Sequence, residues 1–297
     1  MQLLQEENYL LRSILTSTVF VALLLSLSVP AVSSAYAYDA PGQGQTTKAT
    51  SNTNQAQKVE RVDPNQKTVT AEQVAESAIY MYGSRPLLEQ IRRNGLERGR
   101  VCKPTCDVPG KAEEATYERR FVRGENSEKD KVRLDQKMPT IEYSLIYGGG
   151  RLWGIINGAA FTPRADTANT FLSQQRHSVD SLLRYKEDGS TLNLVGREKQ
   201  KGLDLYVLNL VDKDKATTRY YISAKTLFVL WLEYEEPSGS GPVKYVRRFL
   251  DHRRAQGTLV PYRTILLEDG KQLQETRILT VTFGIKLDDS LFKTPEA

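Results

Sequence analysis

The sequence predicts an α+β domain built on a strongly curved antiparallel sheet, a half-barrel of about eleven strands covered by two or more helices. Three observations carry this expectation. From residue 203 to residue 292, short apolar and aromatic runs alternate with turn signals, as consecutive antiparallel strands require. Two other stretches, 70–95 and 163–185, place apolar residues at helical spacing instead. The roughly 230 residues beyond position 69 are enough for one large core.

The elements follow in chain order. Residues 14–29 (ILTSTVFVALLLSLSV) are uncharged and mostly apolar, with Arg12 before them and Pro30, Ser33, Ser34, Ala35 and Ala37 after. This is the layout of a secretory signal peptide, cleaved after Ala35 or Ala37. The run is shorter than the ~20 residues that cross a bilayer comfortably. Glu6 and Glu7 make the segment before it acidic, which leaves an uncleaved inner-membrane anchor as the alternative. Residues 36–69 are rich in Gln, Thr, Asn, Ser, Ala and Gly. They bury too little surface to offset chain entropy, so they are expected to be a disordered linker. The domain organisation is therefore 1–35 leader, 36–69 linker and 70–297 folded domain.

The folded part opens with a capping box, Thr70 with Gln73 three residues on. Val74, Ala78, Met81 and Tyr82 continue at helical spacing, and Pro86 ends or kinks the helix. Residues 96–114 form a polar loop holding Cys102 and Cys106. In an exported chain this close pair is expected to form a local disulfide. Strands are expected at 117–123, 131–135, 140–147 and 151–157. In the third, Ile141, Tyr143, Leu145 and Tyr147 share one face. The glycines 148–150 make a hairpin and not a phosphate cradle, because no Gly-Lys-Ser/Thr follows. Residues 163–185 return to helix, with Phe171, Leu172, Val179, Leu182 and Leu183 on one face and His177 at a surface or capping position. Further strands are expected at 192–195, 203–210, 219–223, 227–234, 243–252, 259–267 and 272–283. The Glu268-Asp269-Gly270-Lys271 turn joins the last two, and 285–292 closes the domain.

Charge and chemistry exclude several function classes. The net charge is +5, from 41 basic and 36 acidic residues interspersed along the chain. A nucleic-acid binder shows a denser basic face. The two histidines, His177 and His252, lie far apart in the chain, with no second histidine at metal-ligand spacing. No serine motif of the Gly-x-Ser-x-Gly type completes a triad. Asp288 and Asp289 read as turn residues before Leu291. The chain is not expected to be an enzyme, nor to use a cofactor or metal.

Four stretches carry a resemblance. They are the first helix after an exported leader, residues 147–153 (YGGGRLW), residues 196–208 (GREKQKGLDLYVL) leading into 222–228 (ISAKTLF), and residues 257–263 (GTLVPYR) with the closing 287–295 (LDDSLFKTP). Over about 70–297 the chain resembles the periplasmic lipoprotein-carrier superfamily, the LolA/LolB-like proteins and their sigma-factor-regulator relatives. The helical middle and the CKPTC loop depart from that pattern, and the carrier's cavity arginine is not assigned to any particular arginine here.

The resemblance implies a periplasmic, non-catalytic protein that binds acyl chains or lipoproteins in an apolar cavity, in the manner of outer-membrane lipoprotein carriers. Its partners would be lipid or acylated protein, with inner- or outer-membrane proteins as further partners and no nucleic acid, acting as a monomer. The alternative is a membrane-tethered envelope interaction or stress-sensing module that uses the sheet as a recognition surface. Trp153, Phe171, Leu182, Phe228, Trp231 and Phe249 are the candidate cavity residues, each of which ordinary core packing would also explain.

Overall fold

The computed structural model describes residues 69–107, 113–239 and 241–293. The leader at 1–35 and all but the last residue of the linker at 36–69 lie outside the described residues.

Thirteen strands form one open antiparallel sheet, two more than the sequence suggested. The first meander is β1 (Asn94–Lys103), β2 (Glu113–Val122), β3 (Lys131–Lys137), β4 (Glu142–Gly148), β5 (Arg151–Ile156) and β6 (Ala159–Phe161). The second is β7 (Thr191–Gln200), β8 (Leu203–Val211), β9 (Thr217–Ser223), β10 (Val229–Glu236), β11 (Val243–Ala255), β12 (Thr258–Glu268) and β13 (Lys271–Phe283). The spatial order runs from β6 back to β1, then from β13 back to β7, so the two meanders meet where β1 pairs with β13. Every other neighbour in the sheet is also a neighbour in sequence, the simplest antiparallel topology.

Helices α1 (Ala71–Tyr82) and α2 (Arg85–Ile91) precede the sheet, and α3 (Ala165–Arg176) and α4 (Val179–Leu183) join the meanders. The capping box forms. Thr70 Oγ1 accepts from Gln73 N at 3.2 Å, and Gln73 Oε1 accepts from Thr70 N at 3.0 Å. Pro86 does not kink one long helix. It occupies the first turn of α2, where its missing N–H costs nothing. The expected helix 163–185 is two, broken at His177–Ser178, and Ser178 caps α4 through Ser181 N.

The strand that the sequence hid is β1. Its segment NGLERGRVCK has two glycines and four charged residues and no alternation. Pairing on both sides fixes it instead. The glycines are needed because aromatic rings crowd this strand. A Cβ on Gly95 would stand 2.8 Å from Phe121 and 2.9 Å from Phe283, and one on Gly99 would stand 2.7 Å from Tyr117. The second hidden strand, β6, has three residues only. Residues 285–292 are not a strand; a 3₁₀ turn at Asp289–Phe292 is capped by Asp288. The hairpins at Gly149–Gly150 and Asp269–Gly270 have positive φ at both central residues (57° and 74°, 46° and 81°), the requirement of a type I′ turn.

All four helices take part on one face of the sheet, the helix face. The larger core joins Val74, Ile79 and Tyr82 of α1 and Leu182 of α4 to Leu208, Ile222 and Leu232 of the second meander. A fully buried side chain of this size contributes roughly 1.5–3 kcal/mol, so most of the hydrophobic stabilisation sits here.

Cys102 and Cys106 are joined, with sulfurs 2.06 Å apart. The loop they close is tied across the meander junction by Glu275, which is 0% exposed. Its carboxylate accepts from Thr105 Oγ1 (2.8 Å), Arg263 Nε (2.8 Å) and Arg277 Nε (2.5 Å). Burial raises its pKa, but these donors outweigh burial and hold the group down at about 2.

Candidate functional site

The register places the helix face of the first meander residue by residue. Tyr143 faces Gln136 and Ile156, Leu145 faces Leu134 and Gly154, and Tyr147 faces Val132 and Leu152. Phe121 faces Val132 across the next ladder. A second apolar cluster results, made of buried Phe121, Val132, Leu145, Val260 and Phe283 with half-buried Leu134, Tyr143, Tyr147, Leu152, Tyr262 and Ile278 around them. Two helical side chains enter it: Phe171, the single buried residue of α3, and half-buried Ile91 at the end of α2. By contrast α1 buries six residues against the second meander. The first meander therefore presents a broad, half-buried apolar face beside a sealed core.

A ring of polar groups separates the two regions. Arg92 and Arg123 both reach Asp180 Oδ1, at 3.3 and 2.7 Å. Burial raises the Asp180 pKa, and Arg123, Arg92 and Arg119 overcome it to hold the carboxyl well below its ordinary range. Arg119 Nη2 donates to Gln175 Oε1 at 3.3 Å, and its guanidinium lies 4.9 Å over the Phe121 ring. Arg247 Nη1 donates to the carbonyls of Gln174 (2.8 Å) and His177 (2.7 Å), capping the end of α3.

His177 was expected at a surface or capping position. It does follow the last turn of α3, yet it is 1% exposed, stacked on Tyr234 with ring centroids 3.9 Å apart. Nδ1 lies 2.6 Å from Thr218 Oγ1 and Nε2 lies 3.3 Å from Glu236 Oε1. A neutral ring protonated at Nε2 satisfies both contacts, accepting from the Thr218 hydroxyl and donating to Glu236. Burial, then the charges of Arg176 and Arg247, push its pKa down to about 3, so the ring is neutral at physiological pH. Glu236 also accepts from Ser173 Oγ at 2.6 Å and is thus an anchor for α3.

The six candidate cavity residues do not converge. Phe171 belongs to the second cluster. Leu182 and Phe249 lie in the sealed core, and Phe228 packs at its margin with its ring 5.0 Å from His252. Trp153 pairs with Ile146 and Trp231 with Tyr221, which puts both on the face away from the helices. Trp231 stacks on Tyr221 at 4.7 Å beside Leu205 and Val207. Trp153 lines an open recess of 430 Å³ with Phe292, Gly148 and Lys131. Another recess of 580 Å³ is lined largely by an alternating charge ladder that includes Arg98, Glu118, Arg120, Asp135 and Arg133. The tyrosine and leucine row of β3–β5 is not among the six candidates. The alternation of residues 141–147 was the signal that marked it.

Among the described residues, no group of His, Cys, Asp and Glu could hold a metal ion, and no helix is long and apolar enough to cross a membrane.

No family model matches the sequence, and no curated protein is similar to it. Solved structures are similar. A DUF1329 family protein from Desulfovibrio piger aligns over 76% of this chain and 98% of its own, with a TM-score of 0.54 and 12% identity. A LolA superfamily protein from Nitrosomonas europaea aligns over 76% and 99%, with a TM-score of 0.51 and 16% identity. A putative outer membrane lipoprotein-sorting protein domain from Vibrio parahaemolyticus aligns over 75% and 95%, with a TM-score of 0.50 and 12% identity. The resemblance legible in the sequence and the likeness in three dimensions agree, and the chain has the LolA-like fold.

Proposed function

We propose that this is an exported, non-catalytic protein of the cell envelope that holds acyl chains, free or on a lipoprotein, against the helix face of its first meander. The observation that carries the reading is the half-buried apolar row of Leu134, Tyr143, Tyr147 and Leu152, beside a core that the helices seal elsewhere. Each methylene moved from water onto such a face contributes about 0.8 kcal/mol, so a long chain binds without a polar anchor. The Cys102–Cys106 bond suits an oxidising compartment, and the leader at 1–35 supplies the route there, with 36–69 as a linker ahead of the 70–297 domain. The lipoprotein-sorting neighbour supports the same class of ligand by fold analogy alone.

The test is native mass spectrometry on the exported protein purified without detergent. A lipid-sized adduct, released on denaturation and absent from a folded Leu152→Asp variant, is the expected result. A clean mass that stays unchanged after incubation with a dipalmitoylated peptide and with phospholipid contradicts it, and leaves the membrane-tethered interaction module as the better reading.

A further inference from the structure

We propose that Arg119 and Arg247 form an anion-recognition site at the border of the apolar face, which takes the phosphate of an amphiphile's head group. The inference deepens the acyl-binding reading and rests on it.

Charge is unbalanced at this border. Four guanidiniums, those of Arg92, Arg119, Arg123 and Arg247, stand between the helices and the sheet. Among the described residues, Asp180 is the carboxylate that pairs with any of them, and it takes Arg92 and Arg123. Glu97, opposite Arg119 in the β1–β2 register and held by the Tyr117 hydroxyl at 2.6 Å, adds a second negative charge, which leaves two of the four positive charges unmatched. Arg119 and Arg247 have neutral partners only: the Gln175 amide for one, the Gln174 and His177 carbonyls for the other. Gln174 and Gln175 are consecutive, so the two guanidiniums converge on the last turn of α3. Burial first, with the Arg119 charge among the lesser causes, pushes the Arg247 guanidinium below its ordinary range.

Two like charges held together at low dielectric repel. The carbonyl end of a helix offsets part of that cost, because the helix dipole is negative there. An anion offsets the rest. Guanidinium forks match phosphate oxygens two at a time, and a lysine would not. The surroundings are amphiphilic in the right sense. Arg119 lies over Phe121, the entry to the apolar row, and Arg247 lies 6.0 Å over Phe249. An acyl chain on the row would carry its head group to this pair.

Calorimetric titration of the full chain tests the proposal. The probes are dioctanoyl phosphatidic acid, dioctanoylglycerol with the same tails and no phosphate, and inorganic phosphate alone. Phosphatidic acid is expected to bind about tenfold or more tightly than the glyceride. In Arg119→Gln that preference falls to about unity while glyceride affinity is kept. Arg248→Gln, an exposed residue on the opposite face, retains the preference. Arg247→Gln should act like Arg119→Gln, but Arg247 also caps α3, so Arg119→Gln decides if that variant unfolds. Equal affinity for the two lipids, or a preference that survives Arg119→Gln, overturns the proposal while acyl binding stands. If neither lipid binds, the acyl reading fails and the head-group assignment fails with it. Inorganic phosphate bound alone and lost in Arg119→Gln upholds the anion site but assigns it to a free ion.

Discussion

The two meanders share one sheet and one helix face, yet they bury that face differently. In the second, Leu208, Tyr220, Ile222 and Leu232 are all 0% exposed beneath α1 and α4. In the first, the corresponding row of Leu134, Tyr143, Tyr147 and Leu152 stays half-buried, and α3 inserts only Phe171. Nothing in the strands themselves explains the contrast, since both rows are apolar and alternate. It comes from the helices. The twelve residues of α1 have a wide apolar stripe with six buried positions, whereas α3, with the sequence ADTANTFLSQQR, has one. A helix with so few apolar residues cannot seal a sheet. The division teaches that hydrophobic burial is concentrated in one half of the molecule, and that the other half carries the half-buried apolar face on which the proposed ligand would sit.

The largest effect expected from this contrast is on stability. Leu232→Ala should cost about 3–4 kcal/mol in denaturant unfolding, as large-to-small changes in rigid cores do, while Leu152→Ala should cost about 1 kcal/mol or less. Equal costs at the two sites would break the comparison.

Acid should sharpen it. The unfolded chain protonates histidine below about 6.5, whereas the buried His177 ring takes up its proton only near 3. The folded pKa is depressed, so stability is lost as pH falls through that window, by at most about 1.4 kcal/mol per pH unit. Because His177 is wedged between α3, Thr218 and Tyr234, the loss belongs to the sealed half. A His177→Gln variant should show a flatter pH profile between 6.5 and 3, measured by thermal melts. An unchanged slope would remove His177 from the account.

A smaller effect lies at the junction of the meanders. Cys102 is the penultimate residue of β1, and its short loop is fastened to β13 through Glu275. Closing so small a loop stabilises by about 2 kcal/mol in the chain-entropy model. Cys102→Ser should therefore lower stability modestly and leave ligand binding intact. Loss of binding would mean that the two halves are more tightly coupled than their separate cores suggest.

Much of this was legible in the sequence where a local rule governs the chain. Thr70 and Gln73 announce α1, the alternation at Tyr143, Leu145 and Tyr147 announces β4, and Asp269–Gly270 announces the last hairpin. What could not be read is set by distant partners. The glycine-rich, charged β1 is a strand because β2 and β13 flank it, and its glycines serve rings from Phe121, Tyr117 and Phe283. His177 is buried because Thr218 and Tyr234 close over it from the second meander. The two tryptophans, Trp153 and Trp231, are candidate cavity residues by sequence. A one-residue shift in register decides which face a strand residue takes, and the pairing puts both opposite the helices. Asp180, Arg119 and Arg123 carry no motif, since they meet only across α4 and β2.

Hydrogen exchange of the intact protein, with and without a bound dipalmitoylated peptide, tests the central division most directly. The account predicts slowed exchange in β2–β5 and α3 on binding, with β8–β10 already protected and unchanged. Protection gained in β8–β10, with β2–β5 unaffected, would contradict it.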